Sequence, residues 1–279
     1  MKELFDMVSY QTSAIVTKKY STSFSLGILF LDRMLHKHIY ALYGFVRFAD
    51  EIVDTFHDFP KAELLADFKK QTYKAIKDGI SLNPILNSFQ HTVNEFNIDL
   101  DLIETFLKSM EMDLEPVDSF DDSKYEEYIL GSAEVVGLMC LKVFCYGDEE
   151  QYEKLHWNAM KLGSAFQKIN FLRDLNADYH QLGRVYFPGV NMDVFNDQVK
   201  AEIEADIDLD FKAGYEGILG LPKKARFGVY IAYVYYFALF RKIKATSSTE
   251  ILSRRVRIPN HNKYSLLLSS YLRHSFNIL

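Results

Sequence analysis

The chain has 279 residues, 48% hydrophobic and 25% charged, with a formal net charge of −6. That apolar fraction excludes a solvated, disordered chain, and 13 Gly with 6 Pro exclude collagen-like and linker-rich architectures. Cys140 and Cys145 are the only cysteines; their spacing fits neither a disulfide framework nor a zinc site, so they are expected to be reduced core thiols in a cytoplasmic protein.

Aromatic residues reach 15%, with 22 Phe and 18 Tyr against one Trp, more than packing alone needs. Charge is unevenly spread. From Pro222 onward there are 11 Lys/Arg and one acid, Glu250, while the remainder carries 21 Lys/Arg and 37 Asp/Glu. A basic C-terminal fifth on an acidic body points to an anionic partner: diphosphate, lipid headgroup or nucleic acid. The competing reading is that these bases complement the acidic body within the fold.

The opening MKELFDMVSY has early acids and no apolar run of the secretory type. Helical periodicity is first clear over 36–56. There Tyr43, Arg47, Asp50 and Asp54 recur at spacings 4, 3 and 4, within an arc of about 60°. Ile39, Leu42, Val46, Ala49 and Val53 form a separate apolar stripe. Further helices are expected over 61–78, 84–95, 99–113 and 123–145. The next, over 149–181, carries Gln167, Asn170, Asp174 and Asp178 at spacings 3, 4 and 4, an arc of about 80°. The remaining expected helices are 208–219, 222–245 and 262–275. The uncharged apolar run Phe227–Phe240, 14 residues, is shorter than the roughly 18 residues a membrane span needs. The six prolines fall at joints between periodic segments, and no alternating strand pattern or Asn-Gly turn is present. The expectation is one all-α domain over 1–279.

Two Asp-x-x-x-Asp pairs set in apolar helices need cations, because like charges a turn apart repel. Mg²⁺ suits them, with Mn²⁺ as a substitute. It takes one or two protein carboxylates and fills its shell with water and phosphate oxygens. Facing pairs across a helical cavity could then clamp a diphosphate leaving group. A di-iron site fails on count: Glu153-x-x-His156 is half of that motif and has no second copy. Walker, nucleophile-elbow and dinucleotide motifs are absent.

The motifs Tyr43-x-x-x-Arg47-x-x-Asp50-Glu51-x-x-Asp54, Tyr128 with Ala133-Glu134-Val135-Val136-Gly137, and Gln167-x-x-Asn170-x-x-Arg173-Asp174-x-x-x-Asp178 followed by Gly183-Arg184-x-Tyr186-x-Pro188 resemble the squalene/phytoene synthase family. Smaller echoes are Ser21-Thr22-Ser23-Phe24, Leu221-Pro222 and Arg255-Val256-Arg257-Ile258-Pro259. The likeness runs from Tyr20 to about Pro259, and the whole looks most like the bacterial phytoene synthases. It implies an all-α isoprenoid-synthase helical bundle with a central cavity. The implied reaction is head-to-head condensation of two allylic diphosphates through a cyclopropyl diphosphate. By resemblance, Asp50, Asp54, Asn170, Asp174 and Asp178 are Mg²⁺ ligands. Ser21, Arg47, Arg173, Tyr236 and Arg255 are diphosphate contacts, and Phe24, Tyr43, Tyr128, Val136, Gly137 and Gln167 line the cavity. Such chemistry is physically coherent. Cations stabilise the departing anion, aromatic faces stabilise the carbocation, and exclusion of water keeps it from being quenched.

Three positions depart from the family pattern: Tyr20 where His is common, Glu51 where Asp is common, and Glu134, which has no sequence-level explanation. Structural readings stand beside the functional ones. Arg47 and Arg173 could pair with aspartates, Tyr128, Tyr236 and Phe24 could be core residues, and Arg254, Arg255 and Arg257 could be a solvated cluster. The expected substrate is C20 geranylgeranyl diphosphate, giving phytoene in carotenoid biosynthesis with no NADPH. Gly27 and Ile28, a turn after Phe24, suggest room for a long chain. The alternatives are a squalene or dehydrosqualene synthase using C15 farnesyl diphosphate, and a non-catalytic assembly factor, which would be expected to have lost its carboxylate pairs. No nucleic acid partner is expected. The basic C-terminal region and the apolar Tyr264–Leu272 segment suggest peripheral contact with the inner face of a membrane.

Overall fold

The structure, a computed structural model, describes residues 1–114, 120–177, 185–190 and 195–258. Its elements are α1 (Lys2–Tyr20), α2 (Thr22–Leu29), α3 (Arg33–Asp54), α4 (Lys61–Asp78), α5 (Pro84–Phe96), α6 (Leu100–Met112), α7 (Asp122–Ile129), α8 (Val135–Cys145), α9 (Glu149–Ala177), α10 (Asp197–Gly220), α11 (Lys223–Lys244) and α12 (Ser248–Ile251). A π-helical turn, Leu130–Glu134, joins α7 to α8. Among the described residues there is no strand.

Local chemistry explains most boundaries. Asp32, Asn83, Asp121 and Asn196 each accept a hydrogen bond from a first-turn backbone N–H of α3, α5, α7 and α10, satisfying donors that have no partner within the helix. Pro84 stands at the start of α5, where its missing N–H is harmless. Gly79, at φ 69°, ends α4 in the left-handed conformation that glycine adopts without strain.

Two expected helices differ from those observed, and α1 and α2 were not expected at all. The inner face of α1 is Ser9, Ser13 and Thr17, so no apolar stripe marks it. The first half of α10 was missed because the ion pair Lys200–Glu204, at 2.5 Å, is buried there in place of an apolar pair. The expected 123–145 helix is interrupted by the π turn. The expected 262–275 helix lies outside the described residues.

One core joins α3, α4, α5 and α6. The Phe45 and Phe89 rings stack at 3.8 Å, and Phe106 lies 5.4 Å from Phe45. A second core joins α9, α10 and α11 through Ile169, Leu172, Phe211, Leu239 and Phe240. Helix α8 packs against both α3 and α9. The stretch Asp122–Cys145 is long and apolar enough to cross a membrane by composition alone, but 67% of its most apolar window is buried. Gly27 meets α11: a Cβ there would lie 3.1 Å from the Gly228 carbonyl oxygen, and Ile28 is in the first core. The lack of a side chain at Gly27 thus serves the α2–α11 crossing.

Candidate active site

The first carboxylate stripe lies in the last two turns of α3. Asp50 keeps part of its surface accessible but is largely surrounded by protein. Burial, then the neighbouring charge of Asp54, pushes its carboxyl up to about 7; Asp113 and Glu51 add to the shift and Arg47 opposes it. Asp54 itself is exposed. Arg47 pairs with Glu51 one turn on, and its guanidinium lies 4.4 Å from the Tyr20 ring centroid. Both unusual residues thus gain a role: Tyr20 covers Arg47 by a cation–π contact, and Glu51 tethers it. The Arg47 Nε is buried without a hydrogen-bond partner, an N–H donor that an anion could satisfy.

The second stripe lies near the end of α9. Arg173 grips Asp174 through Nε, at 3.1 and 3.2 Å, and Nη2, at 2.5 Å. Arg255 approaches the same carboxylate, with Nε 2.6 Å from Oδ1 and Nη2 3.1 Å from Oδ2. Asn176 donates to the Leu252 carbonyl, which holds the α12 region against α9. Arg255 is therefore brought to the motif from 81 residues away in sequence. Asn170 donates to Gln167 Oε1 at 3.3 Å, while its own Oδ1 is buried without a partner. Asp178 lies outside the described residues.

Four helices contribute an aromatic cluster. Phe24 of α2 lies 5.9 Å from Tyr43 of α3, 6.3 Å from Phe166 of α9 and 5.8 Å from Tyr236 of α11. Phe166 and Tyr236 stack at 4.1 Å. No sequence motif separates Phe166 from its apolar neighbours. Burial pushes the Tyr236 hydroxyl up to about 12, against the opposing charge of Arg173. Burial likewise raises Tyr43, opposed by Arg47 and a hydrogen bond with Ser21. Ser21 also caps α2 by accepting from the Phe24 N–H at 3.2 Å, so it fixes the start of the helix that presents Phe24.

Tyr128 stands in a neighbouring aromatic group, 5.4 Å from Phe120 and 6.0 Å from Phe171. Its hydroxyl donates to Asp113 Oδ2 at 2.8 Å. Burial and the Asp113 charge raise it well above 10, so it acts as a proton-bearing donor and not as a base. Asp113 was missed from sequence: it follows α6 and belongs to no stripe. Val136 packs against the first core. Gly137 faces α9, where a Cβ would lie 2.8 Å from the Ala159 carbonyl oxygen; its size is explained by that crossing. Glu134 is buried and accepts from Ser164 Oγ at 2.5 Å, with Lys161 at 3.8 Å. Lys161 and Lys168 also reach Asp210, at 3.8 and 2.6 Å. The residue without a sequence-level account is thus one end of a buried ion network behind α9.

Among the described residues, no three His, Cys, Asp or Glu side chains converge closely enough to hold a metal ion by themselves. The donor set nonetheless fits a hard divalent cation that shares its shell with a substrate. Asp50 is destabilised by a like charge that such an ion would offset, and Asn170 offers a buried, unpaired oxygen.

A sequence model described as squalene/phytoene synthase matches residues 17–262. The chain belongs to the squalene/phytoene synthase family, whose members are prenyltransferases. It is 27% identical over 201 residues to a 4,4'-diapophytoene synthase of Staphylococcus haemolyticus, covering 71% of this chain and 68% of that one. It is 24% identical over 293 residues to a phytoene synthase of Arthrospira platensis, covering 95% and 93%. Among solved structures, a dehydrosqualene synthase in complex with ligand superposes with a TM-score of 0.81 at 22% identity, over 96% of this chain and 98% of that one. The fold is the all-α isoprenoid synthase fold.

Proposed function

We propose that this protein condenses two molecules of geranylgeranyl diphosphate head to head, through a cyclopropyl diphosphate, to phytoene. The observation that carries the reading is the Phe24–Tyr43–Phe166–Tyr236 cluster, built partly on α3 and α9, the helices that bear the carboxylate stripes. Aromatic faces there would stabilise an allylic carbocation without offering it a nucleophile. Asp50, Asp54, Asn170 and Asp174, with Asp178 from the sequence motif, would hold Mg²⁺, which supplies positive charge to the leaving diphosphate. Arg47, with its unsatisfied Nε–H, and the Arg173–Arg255 pair would bind and orient that diphosphate. Tyr128 holds its proton on Asp113 and would keep the neighbouring carboxylate oriented. The C20 choice is supported by the match to phytoene synthases over nearly the whole chain.

A C15 substrate is the second reading, favoured by the match to a diapophytoene synthase. Purified protein incubated with Mg²⁺ and either geranylgeranyl or farnesyl diphosphate decides between them. A C40 hydrocarbon is expected; a C30 product overturns the chain length, and no product from either overturns the activity. Asp174→Ala should abolish turnover with the helical circular dichroism retained. We also infer a cytoplasmic protein in peripheral contact with a membrane; of the features that first suggested this contact, the apolar Tyr264–Leu272 segment lies outside the described residues, whereas most of the C-terminal bases lie within them.

A further inference from the structure

Helix α1 is turned inside out relative to an ordinary surface helix. Its buried face is Ser9, Ser13 and Thr17. Their hydroxyls are satisfied at home: Ser9 donates to the Phe5 carbonyl, Thr17 donates to the Ser13 carbonyl, and Ser13 pairs with Ser88. Small side chains let α1 approach α3 closely, where a Cβ on Gly44 would lie 3.2 Å from that of Ser13. The apolar residues face outward instead. Leu4, Met7, Val8 and Ile15 are between 45% and 59% exposed. At about 100° per residue, Leu4, Val8 and Ile15 fall within an arc of about 40°. Widened to about 120°, the arc takes in Met7, Gln11, Lys18 and Lys19 and contains no acid. An ordinary surface helix shows the reverse pattern.

We propose that the outer face of α1 is a docking surface for an anionic lipid bilayer. The apolar stripe would enter the headgroup boundary, and Lys18 and Lys19 would meet lipid phosphates. A second copy of the chain fits less well. One helix face falls well short of the roughly 800 Å² per partner that a stable dimer buries. The stripe also ends beside the candidate active site, since Tyr20, the last residue of α1, covers Arg47. The lipid contact stands or falls apart from the prenyl substrate, because its test reads binding alone.

The test is flotation of the full chain with vesicles of phosphatidylcholine containing phosphatidylglycerol, and with phosphatidylcholine alone. Wild type should float with the anionic vesicles. The variant Leu4→Ser, Val8→Ser, Ile15→Ser should bind at least about 10-fold more weakly, with an unchanged melting temperature because all three positions are exposed. Lys18→Glu with Lys19→Glu should weaken binding about 10-fold on anionic vesicles and little on neutral ones. Three results overturn the proposal. They are no flotation of wild type in low salt, unchanged flotation of the triple-serine variant, or a dimer in light scattering that the triple-serine variant abolishes.

Discussion

Replacing Asp50 by Asn in metal-free protein should stabilise the fold and end turnover together. The carboxyl is raised from an ordinary 3.8 to about 7, by burial first and Asp54 second. A carboxyl whose folded value exceeds its unfolded value favours the native state only while protonated. Native stability is therefore highest below about pH 4 and declines as pH rises toward 7. Three units at roughly 1.4 kcal/mol each set an upper cost of about 4 kcal/mol above pH 7. Solvent reaching the accessible part of Asp50 lowers this to about 2–4 kcal/mol. Asn keeps the shape and removes the charge. The assay is thermal melting of both proteins in EDTA at pH 8 and pH 4. At roughly 2–4 °C per kcal/mol, D50N should melt about 5–10 °C higher at pH 8, with no difference at pH 4. Added Mg²⁺ should narrow the gap by raising wild type alone. If D50N melts at or below wild type at pH 8, the crowding ascribed to Asp50, Asp54 and Asp113 is wrong.

Glu134→Ala would leave Ser164 and Lys161 facing an empty site and should cost about 3 kcal/mol in urea unfolding, with Glu134→Gln losing less; an unchanged midpoint for the alanine variant would refute the buried network. Gly137→Ala would press a methyl group against the Ala159 carbonyl and should cost about 1–3 kcal/mol, measured the same way; no loss would mean that α8 and α9 are not in close contact. His38 is buried, which holds its imidazole down at about 4 against 6.5, with Lys37 and His91 adding. Its contribution is present above pH 6.5 and lost as pH falls toward 4, about 3 kcal/mol. His38→Gln should flatten the stability profile across that window, and an unaltered slope would rule His38 out.

Both carboxylate stripes and most helices were legible because each repeats over several turns, and repetition is what a single sequence can display. Asp50 with Asp54, and Asn170 with Asp174, could be placed on shared faces before any coordinates. What could not be read was anything depending on a partner far along the chain. Arg255 reaches Asp174, Asp113 receives Tyr128, and Glu134 meets Lys161 only after folding. Helix α1 was missed for another reason: its buried face is polar, so the usual inference from apolar spacing ran backwards. The aromatic excess divides along the same line. Tyr230, Tyr233 and Phe237 stack along α11 at 6.2 and 5.7 Å as periodicity suggests, whereas Phe24, Tyr43, Phe166 and Tyr236 come from four helices and meet only in space.

The π turn at Leu130–Glu134 makes the α7–α8 rod behave as two gears set out of phase. One surplus residue rotates everything beyond it by about 100° relative to an unbroken α-helix. Upstream, Tyr128 faces Asp113; the turn's last residue, Glu134, meets Ser164, and downstream Gly137 faces Ala159. Without the turn, the side chains beyond it would be rotated by about 100° from their present partners relative to Tyr128. Deleting a single residue from the turn would therefore do more harm than most substitutions within it. It would leave the composition nearly unchanged and force the rod to choose between its hydroxyl and its glycine.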